Sequence, residues 1–161
     1  MNRRAVLLGG SEVGERFVTA VFAEIPLGEP LIRVVNCGHP PPVRIRSGEV
    51  RELDRGRSAP PLNLGVLLGE PYHVDVYSFS PGDQLLLYTD GITETRDPAG
   101  SFYPLLERLR SWSSLPPREL LERLNQDLLA YSGDRPQDDI AALAVRLPAD
   151  EPLLPLPAPP G

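Results

Sequence analysis

The chain has 161 residues, of which 41% are hydrophobic, and this is enough to build the core of one domain. The formal net charge of −6, without a dense stripe of lysine and arginine, argues against nucleic acid as the main partner, because phosphate binding needs concentrated positive charge. The single cysteine, Cys37, excludes an internal disulfide and a zinc site built on several thiolates, so a reducing cytoplasm is the expected compartment.

The first half of the chain is predicted to form antiparallel strands. Near its start, the apolar stretch VLLGG is too short for a signal peptide or a spanning helix, so we expect no membrane association. The segments 17–25 (FVTAVFAEI) and 31–36 (LIRVVN) are rich in β-branched and aromatic residues, which predicts neighbouring strands. In 43–53, apolar and charged residues alternate around Ser47-Gly48, which predicts a hairpin with one solvent-exposed face.

The second half is predicted to hold two buried strands and two helices. Alternation resumes at His73 (HVDVYSF), and 84–89 (QLLLYT) then lacks the polar interruptions of a half-exposed strand, so we expect burial on both faces. The leucine-rich segments 103–112 and 118–131 can cover it as helices. The segment 140–147 (IAALAVRL) predicts one more buried strand. This order of elements indicates an α+β sandwich.

Acidic residues stand at the ends of these two buried strands. Asp90 follows the first strand, and Asp138 and Asp139 precede the second. If the strands are antiparallel neighbours, these ends meet and Asp90 can face Asp138 or Asp139. Converging carboxylates repel each other unless a divalent cation lies between them, and oxygen ligands favour Mg²⁺ or Mn²⁺. Gly91 would allow a sharp turn close to the site, although Asp-Gly is also common in turns that bind nothing.

Three motifs in this sequence resemble one enzyme family. They are NCGHPPPV at 36–43, LLLYTDGITETRD from Leu85, and DDIAALAVRL at 138–147. Their order and spacing resemble those of the PPM-type metal-dependent serine/threonine phosphatases, in the SpoIIE-like bacterial branch, and the match runs from about Arg3 to Leu147. The resemblance implies part of a β-sandwich of antiparallel sheets flanked by helices.

The resemblance also implies an activity and a site. In such enzymes a metal-activated water hydrolyses phosphoserine or phosphothreonine, and two Mn²⁺ or Mg²⁺ ions assist. By motif position Asp90 and Asp138 would be metal ligands, and Asp139 would support them. Gly91 would support the site by allowing a close approach of the chain. Apart from the resemblance, Arg96 stands just after the T-D-G element, and its guanidinium is suited to contact substrate phosphate. The implied partner is a phosphoprotein in a sigma-factor or stress-response switch, such as an anti-anti-sigma-like protein.

The sequence departs from the family pattern near its start. Family members carry further ligands in Gly-Asp and Asp-x-x-Gly elements, whereas Gly9-Gly10 is followed here by Ser11. We therefore expect 1–147 to be a truncated phosphatase domain and 148–161 to be a disordered proline-rich tail. Two hypotheses follow: an active phosphatase, or a catalytically impaired relative that acts as a protein-binding or regulatory module.

Two further side chains lie in the NCGHPPPV motif. His39 precedes three prolines, which favours a structural turn over a general acid or a metal ligand. Cys37 has no basic neighbour in sequence, which favours a small buried side chain over a nucleophile.

Overall fold

The computed structural model describes residues 18–26, 28–54, 56, 59–62, 64, 72–133 and 139–149. This part of the chain forms the predicted strands and the two predicted helices in the predicted order, together with one short helix at Asp90–Glu94 that was not predicted. They are β1 (Ala20–Glu24), β2 (Leu31–Cys37), β3 (Val43–Arg46), β4 (Glu49–Glu52), β5 (Asp75–Ser78), β6 (Gln84–Tyr88), α1 (Asp90–Glu94), α2 (Leu105–Ser111), α3 (Pro117–Ser132) and β7 (Ala142–Arg146).

The strands form two antiparallel sheets. Sheet A has the order β1-β2-β5, and sheet B has the order β4-β3-β6-β7. The predicted pairing of β1 with β2 and the predicted hairpin of β3 with β4 are both present. The α+β fold class is confirmed. Most of the segment between β4 and β5, and the predicted tail from residue 150 onward, lie outside the described residues.

Two apolar layers hold the fold together, and β6 contributes to both. Leu85 belongs to the layer between the sheets, whereas Leu86 and Tyr88 belong to the layer between sheet B and the helices. Because successive side chains of a strand point to opposite faces, one uninterrupted apolar run supplies both layers. The predicted burial of this strand on both faces is therefore confirmed.

Helix α3 covers sheet B with one apolar stripe. Leu120, Leu124 and Leu128 are buried, and their spacing of four places them on one face of the helix. The helix begins with Pro117 and ends before Gly133, whose left-handed φ of +65° suits glycine at this position. Among the described residues, no helix is long and apolar enough to cross a membrane.

The prediction that the last strand is buried is wrong. β7 lies at the edge of sheet B and pairs only with β6. Leu143 is 55% exposed and Val145 is 37% exposed, because nothing in the described part of the chain covers that face of the strand. An apolar run predicts the strand itself, but it does not reveal whether another layer lies opposite.

The prediction that one face of the β3–β4 hairpin is exposed to solvent is also wrong in part. Arg44 on β3 is only 8% exposed, and its guanidinium donates to the carbonyl and hydroxyl oxygens of Ser78 in sheet A, at 3.2 and 3.1 Å. Arg46 donates from Nε and Nη2 to the two carboxylate oxygens of Asp83, at 2.7 and 2.5 Å. Both arginines bridge elements of the sandwich; Arg44 is buried, whereas Arg46 stays partly exposed.

Asp83 is expected to contribute much more to stability than an exposed acid does. It is 2% exposed, so replacing it leaves the positive charge of Arg46 without its partner. We predict that Asp83→Ala lowers the free energy of unfolding in urea by about 3 kcal/mol. The matched control is Glu122→Ala, which breaks the exposed pair with Arg118 and should cost less than about 0.5 kcal/mol. Equal losses in the two variants would contradict this prediction.

Candidate functional site

The ends of β6 and β7 meet as the sequence predicts. Their antiparallel pairing reaches Tyr88 and Ala142, and the Thr89 amide extends it by donating to the Ala141 carbonyl at 3.0 Å. The Thr89 hydroxyl donates to the Asp139 carbonyl at 3.0 Å and accepts from the Ala141 amide at 2.9 Å. We call the two joined segments, 89–91 and 139–141, the corner.

Gly91 permits a very close approach within the corner. A Cβ atom at this position would lie only 2.8 Å from the Asp139 carbonyl oxygen, which is a backbone atom and cannot rotate away. Glycine is required here because a side chain has no room, and not because of the backbone conformation, since φ of Gly91 is not positive. The predicted close approach is therefore present, and any side chain here would push the two segments apart.

Asp90 is the first residue of α1, and its side chain is exposed. Its Oδ1 accepts the Gly91 amide hydrogen at 3.0 Å, and its backbone carbonyl accepts the Thr93 hydroxyl at 3.1 Å. The Thr95 hydroxyl donates to the Gly91 carbonyl at 2.7 Å. These local bonds fix the short helix and leave the carboxylate accessible from solvent.

Of the other predicted site residues, one lies at the corner, one lies outside the described residues and one lies in a separate loop. Asp139 is exposed at the corner, while Asp138 lies outside the described residues. Arg96 lies in the loop after α1, where its guanidinium stacks 3.7 Å from the centre of the Phe102 ring and donates to the Gly100 carbonyl at 2.9 Å. Neither contact joins Arg96 to the corner, so its role in binding phosphate stays a prediction.

The corner offers ligands of the kind that a hard divalent cation prefers. Asp90 presents an exposed carboxylate there, and Mg²⁺ is commonly held by one or two carboxylates while it keeps several waters. Among the described residues, no group of three or more histidine, cysteine or acidic side chains could hold a metal ion. The exposed Asp90 carboxylate therefore fits a single ion that keeps much of its water, and the acidic side chains of the described residues are too few for a two-metal site.

Two buried groups, Cys37 at the end of β2 and Tyr88 at the end of β6, are unsuited to acid–base or nucleophilic chemistry at neutral pH. Burial raises the pKa of the Cys37 thiol, which therefore stays protonated. Burial, with a smaller effect from Glu52, raises the pKa of Tyr88 to about 12. The predicted burial of Cys37 is confirmed, and neither residue is a candidate nucleophile.

His39 lies closer to the corner than its sequence position indicates. Together with Thr89 and Ala141 it lines a cleft between the ends of the sheets. The sequence predicted only a structural turn at this residue. The sequence shows only that this histidine stands in a proline-rich loop. Without the register of the sheets, it does not show which surface of the protein the loop faces.

Comparisons with known proteins match most of the chain. The family model of the stage II sporulation protein E (SpoIIE) matches residues 2–148. Protein IcfG from Synechocystis sp. is 29% identical over 133 residues, which cover 80% of this chain and 20% of that protein. Phosphoserine phosphatase RsbP from Bacillus subtilis is 29% identical over 118 residues, which cover 73% and 28% respectively. The chain thus spans less than a third of either curated relative.

Solved structures share the fold. The Mn-presoaked phosphatase domain of the cell fate determinant SpoIIE from Bacillus subtilis has a TM-score of 0.64 at 20% identity, over 83% of this chain and 58% of that one. The RsbU and RsbW domains of Rv1364c from Mycobacterium tuberculosis give 0.63 at 23% identity, over 83% and 37%. At these identities the similarity supports the fold alone.

The hydroxyl of Thr89 is expected to hold the start of β7 in place. Thr89→Val keeps the shape of the side chain but removes both hydrogen bonds of the hydroxyl, including the bond to the Ala141 amide. We predict that hydrogen exchange of the Ala141 amide becomes about tenfold faster, corresponding to the net loss of about one hydrogen bond. Thr89→Ser retains the hydroxyl and should exchange as the wild type does. Equal exchange rates in the two variants would contradict this role.

Proposed function

The chain belongs to the SpoIIE family of PP2C-type protein phosphatases, and from this premise we propose that it is a metal-dependent phosphatase acting on phosphoserine or phosphothreonine of a partner protein. The observation that carries the proposal is the corner, where the hydrogen bonds of Thr89 hold Asp139 beside the Asp90-Gly91 turn. The relative named phosphoserine phosphatase RsbP supports phosphoserine as the substrate group.

Asp90 and Asp138 are the residues proposed to hold the metal. The family is metal-dependent, and the exposed carboxylate of Asp90 supplies an oxygen ligand suited to Mn²⁺ or Mg²⁺. When bound, the ion would activate a water molecule and neutralise negative charge on the phosphoryl group. Asp139 supports this arrangement through its backbone contact with Thr89, and Gly91 leaves the space for it.

The substrate is proposed to be a regulatory phosphoprotein of the anti-anti-sigma type. This proposal extends the association of the family with regulatory signalling to the present chain. Arg96 is the proposed side-chain contact for the phosphate of this protein, because a guanidinium offers two parallel N–H donors to phosphate oxygens. Arg96 would leave the Phe102 ring to make this contact.

A phosphatase-like module that only binds a partner is the second candidate. The small number of acidic side chains at the described part of the corner favours it, because a two-metal site needs more carboxylates. The two candidates differ in turnover, so one assay separates them.

Phosphate release from a phosphoserine peptide tests the proposed activity. With Mn²⁺ we expect turnover that stops on addition of EDTA and that falls about 100-fold or more in Asp90→Asn and in Asp138→Asn, as loss of a metal ligand predicts. The matched control is Glu94→Gln, which removes an exposed carboxylate at the other end of α1 and should keep full activity.

Two results would contradict the enzyme proposal. One is turnover that is indifferent to EDTA and to both aspartate substitutions. The other is a folded wild-type chain that releases no phosphate from several phosphopeptides in the presence of Mn²⁺, and this result would favour the binding module.

A further inference from the structure

A cleft of about 240 Å³ opens beside the corner. Its walls come from β1, the end of β6, the start of β7 and the loop that carries His39. Thr89 and Ala141 belong both to this cleft and to the corner, so the cleft is continuous with the surface that presents Asp90. The cleft therefore begins one residue away from Asp90, at Thr89.

His39 is the one residue lining the cleft whose side chain carries ring nitrogens. The rest of the lining is aliphatic apart from Tyr88 and Thr89. Burial raises the pKa of Tyr88 to about 12, and the Thr89 hydroxyl is already bonded within the corner. An anion in the cleft would thus find an N–H donor in the imidazole of His39 when the ring is charged.

The loop around His39 is firmly held. The Asn36 side chain accepts from the His39 amide at 2.8 Å and donates to the His39 carbonyl at 2.7 Å. Gly38 has a φ of +69°, and a Cβ there would lie 3.0 Å from Pro61. The three prolines that follow restrict the backbone further. A ring on such a loop loses little conformational entropy when it binds a ligand.

The hydrogen bonding of the ring determines which nitrogen remains for a ligand. Nδ1 of His39 lies 3.1 Å from the Pro40 carbonyl oxygen, and a carbonyl only accepts, so Nδ1 carries the hydrogen. Nε2 has no hydrogen-bond partner among the residues that the structure describes. This nitrogen accepts from a ligand hydroxyl when the ring is neutral and donates when the ring is charged.

We propose that His39 Nε2 contacts the phosphoryl group of the substrate, so that His39 is a substrate-binding residue of this site. The inference rests on the proposed phosphatase function. The acidic side chains of Asp90 and Asp139 repel a phosphoryl dianion, and a charge-assisted N–H···O bond from the adjoining cleft offsets part of that repulsion.

Steady-state kinetics with the phosphoserine peptide test the contact. His39→Ala should raise KM for the peptide and the inhibition constant of inorganic phosphate, each by about tenfold, while kcat changes less than about threefold. His73→Ala is the matched control, because His73 is exposed outside the cleft and should leave all three constants unchanged. A purely structural role would instead lower thermal stability and the active fraction, and so kcat, with KM unchanged. That result would overturn the proposal.

A binding measurement tests the contact between His39 and phosphate even if the wild type proves inactive. In the full chain with ¹⁵N-labelled histidine and Mg²⁺ present, added inorganic phosphate should shift the Nε2 resonance of His39 and leave that of His73 in place. An unchanged His39 resonance at saturating phosphate would refute the contact. A shift without turnover would retain the phosphate contact and reject only the phosphatase activity.

Discussion

The hydroxyl of Thr89 makes the contact on which the candidate site depends. It donates to Asp139 and accepts from Ala141, so one side chain closes the gap between the end of β6 and the approach to β7. β7 is an edge strand with a single neighbour, and its backbone is fixed by β6 alone among the described strands. Gly91 completes the arrangement, because only a residue without Cβ lets the Asp139 carbonyl come so close.

The aspartates at the two ends of β6 lie in opposite environments. Before the strand, Asp83 is buried and is held by the guanidinium of Arg46, as a buried carboxylate must be. After the strand, Asp90 is exposed and forms no ion pair within the described part of the chain. An exposed carboxylate keeps its hydration and remains available to a cation. This difference separates an acid that stabilises the fold from an acid suited to binding.

The strands and the two longer helices follow from the sequence, as does the β3–β4 hairpin, because they depend on apolar patterning and on a turn between adjacent segments. The meeting of the two acidic segments could be predicted only on the condition that β6 and β7 pair, since three helices separate these strands along the chain. Whether β7 is buried does not follow from the sequence, since the exposure of Leu143 and Val145 depends on whether another layer lies opposite them. The alternation of apolar and charged residues predicts that Arg44 faces solvent, yet its guanidinium donates a hydrogen bond across the sandwich to Ser78. The position of His39 likewise depends on sheet register, which loop composition does not encode.

Paramagnetic broadening by Mn²⁺ tests most directly whether the corner binds a metal. In a ¹⁵N-labelled sample of the full chain, substoichiometric Mn²⁺ should broaden the amide resonances of 90–92 and 139–141 before those of Arg46 and Asp83 at the far end of the sheet, and Asp90→Asn should suppress the effect. Broadening that centres on other acidic residues, or that persists unchanged in Asp90→Asn, would contradict the assignment of the corner as the metal site.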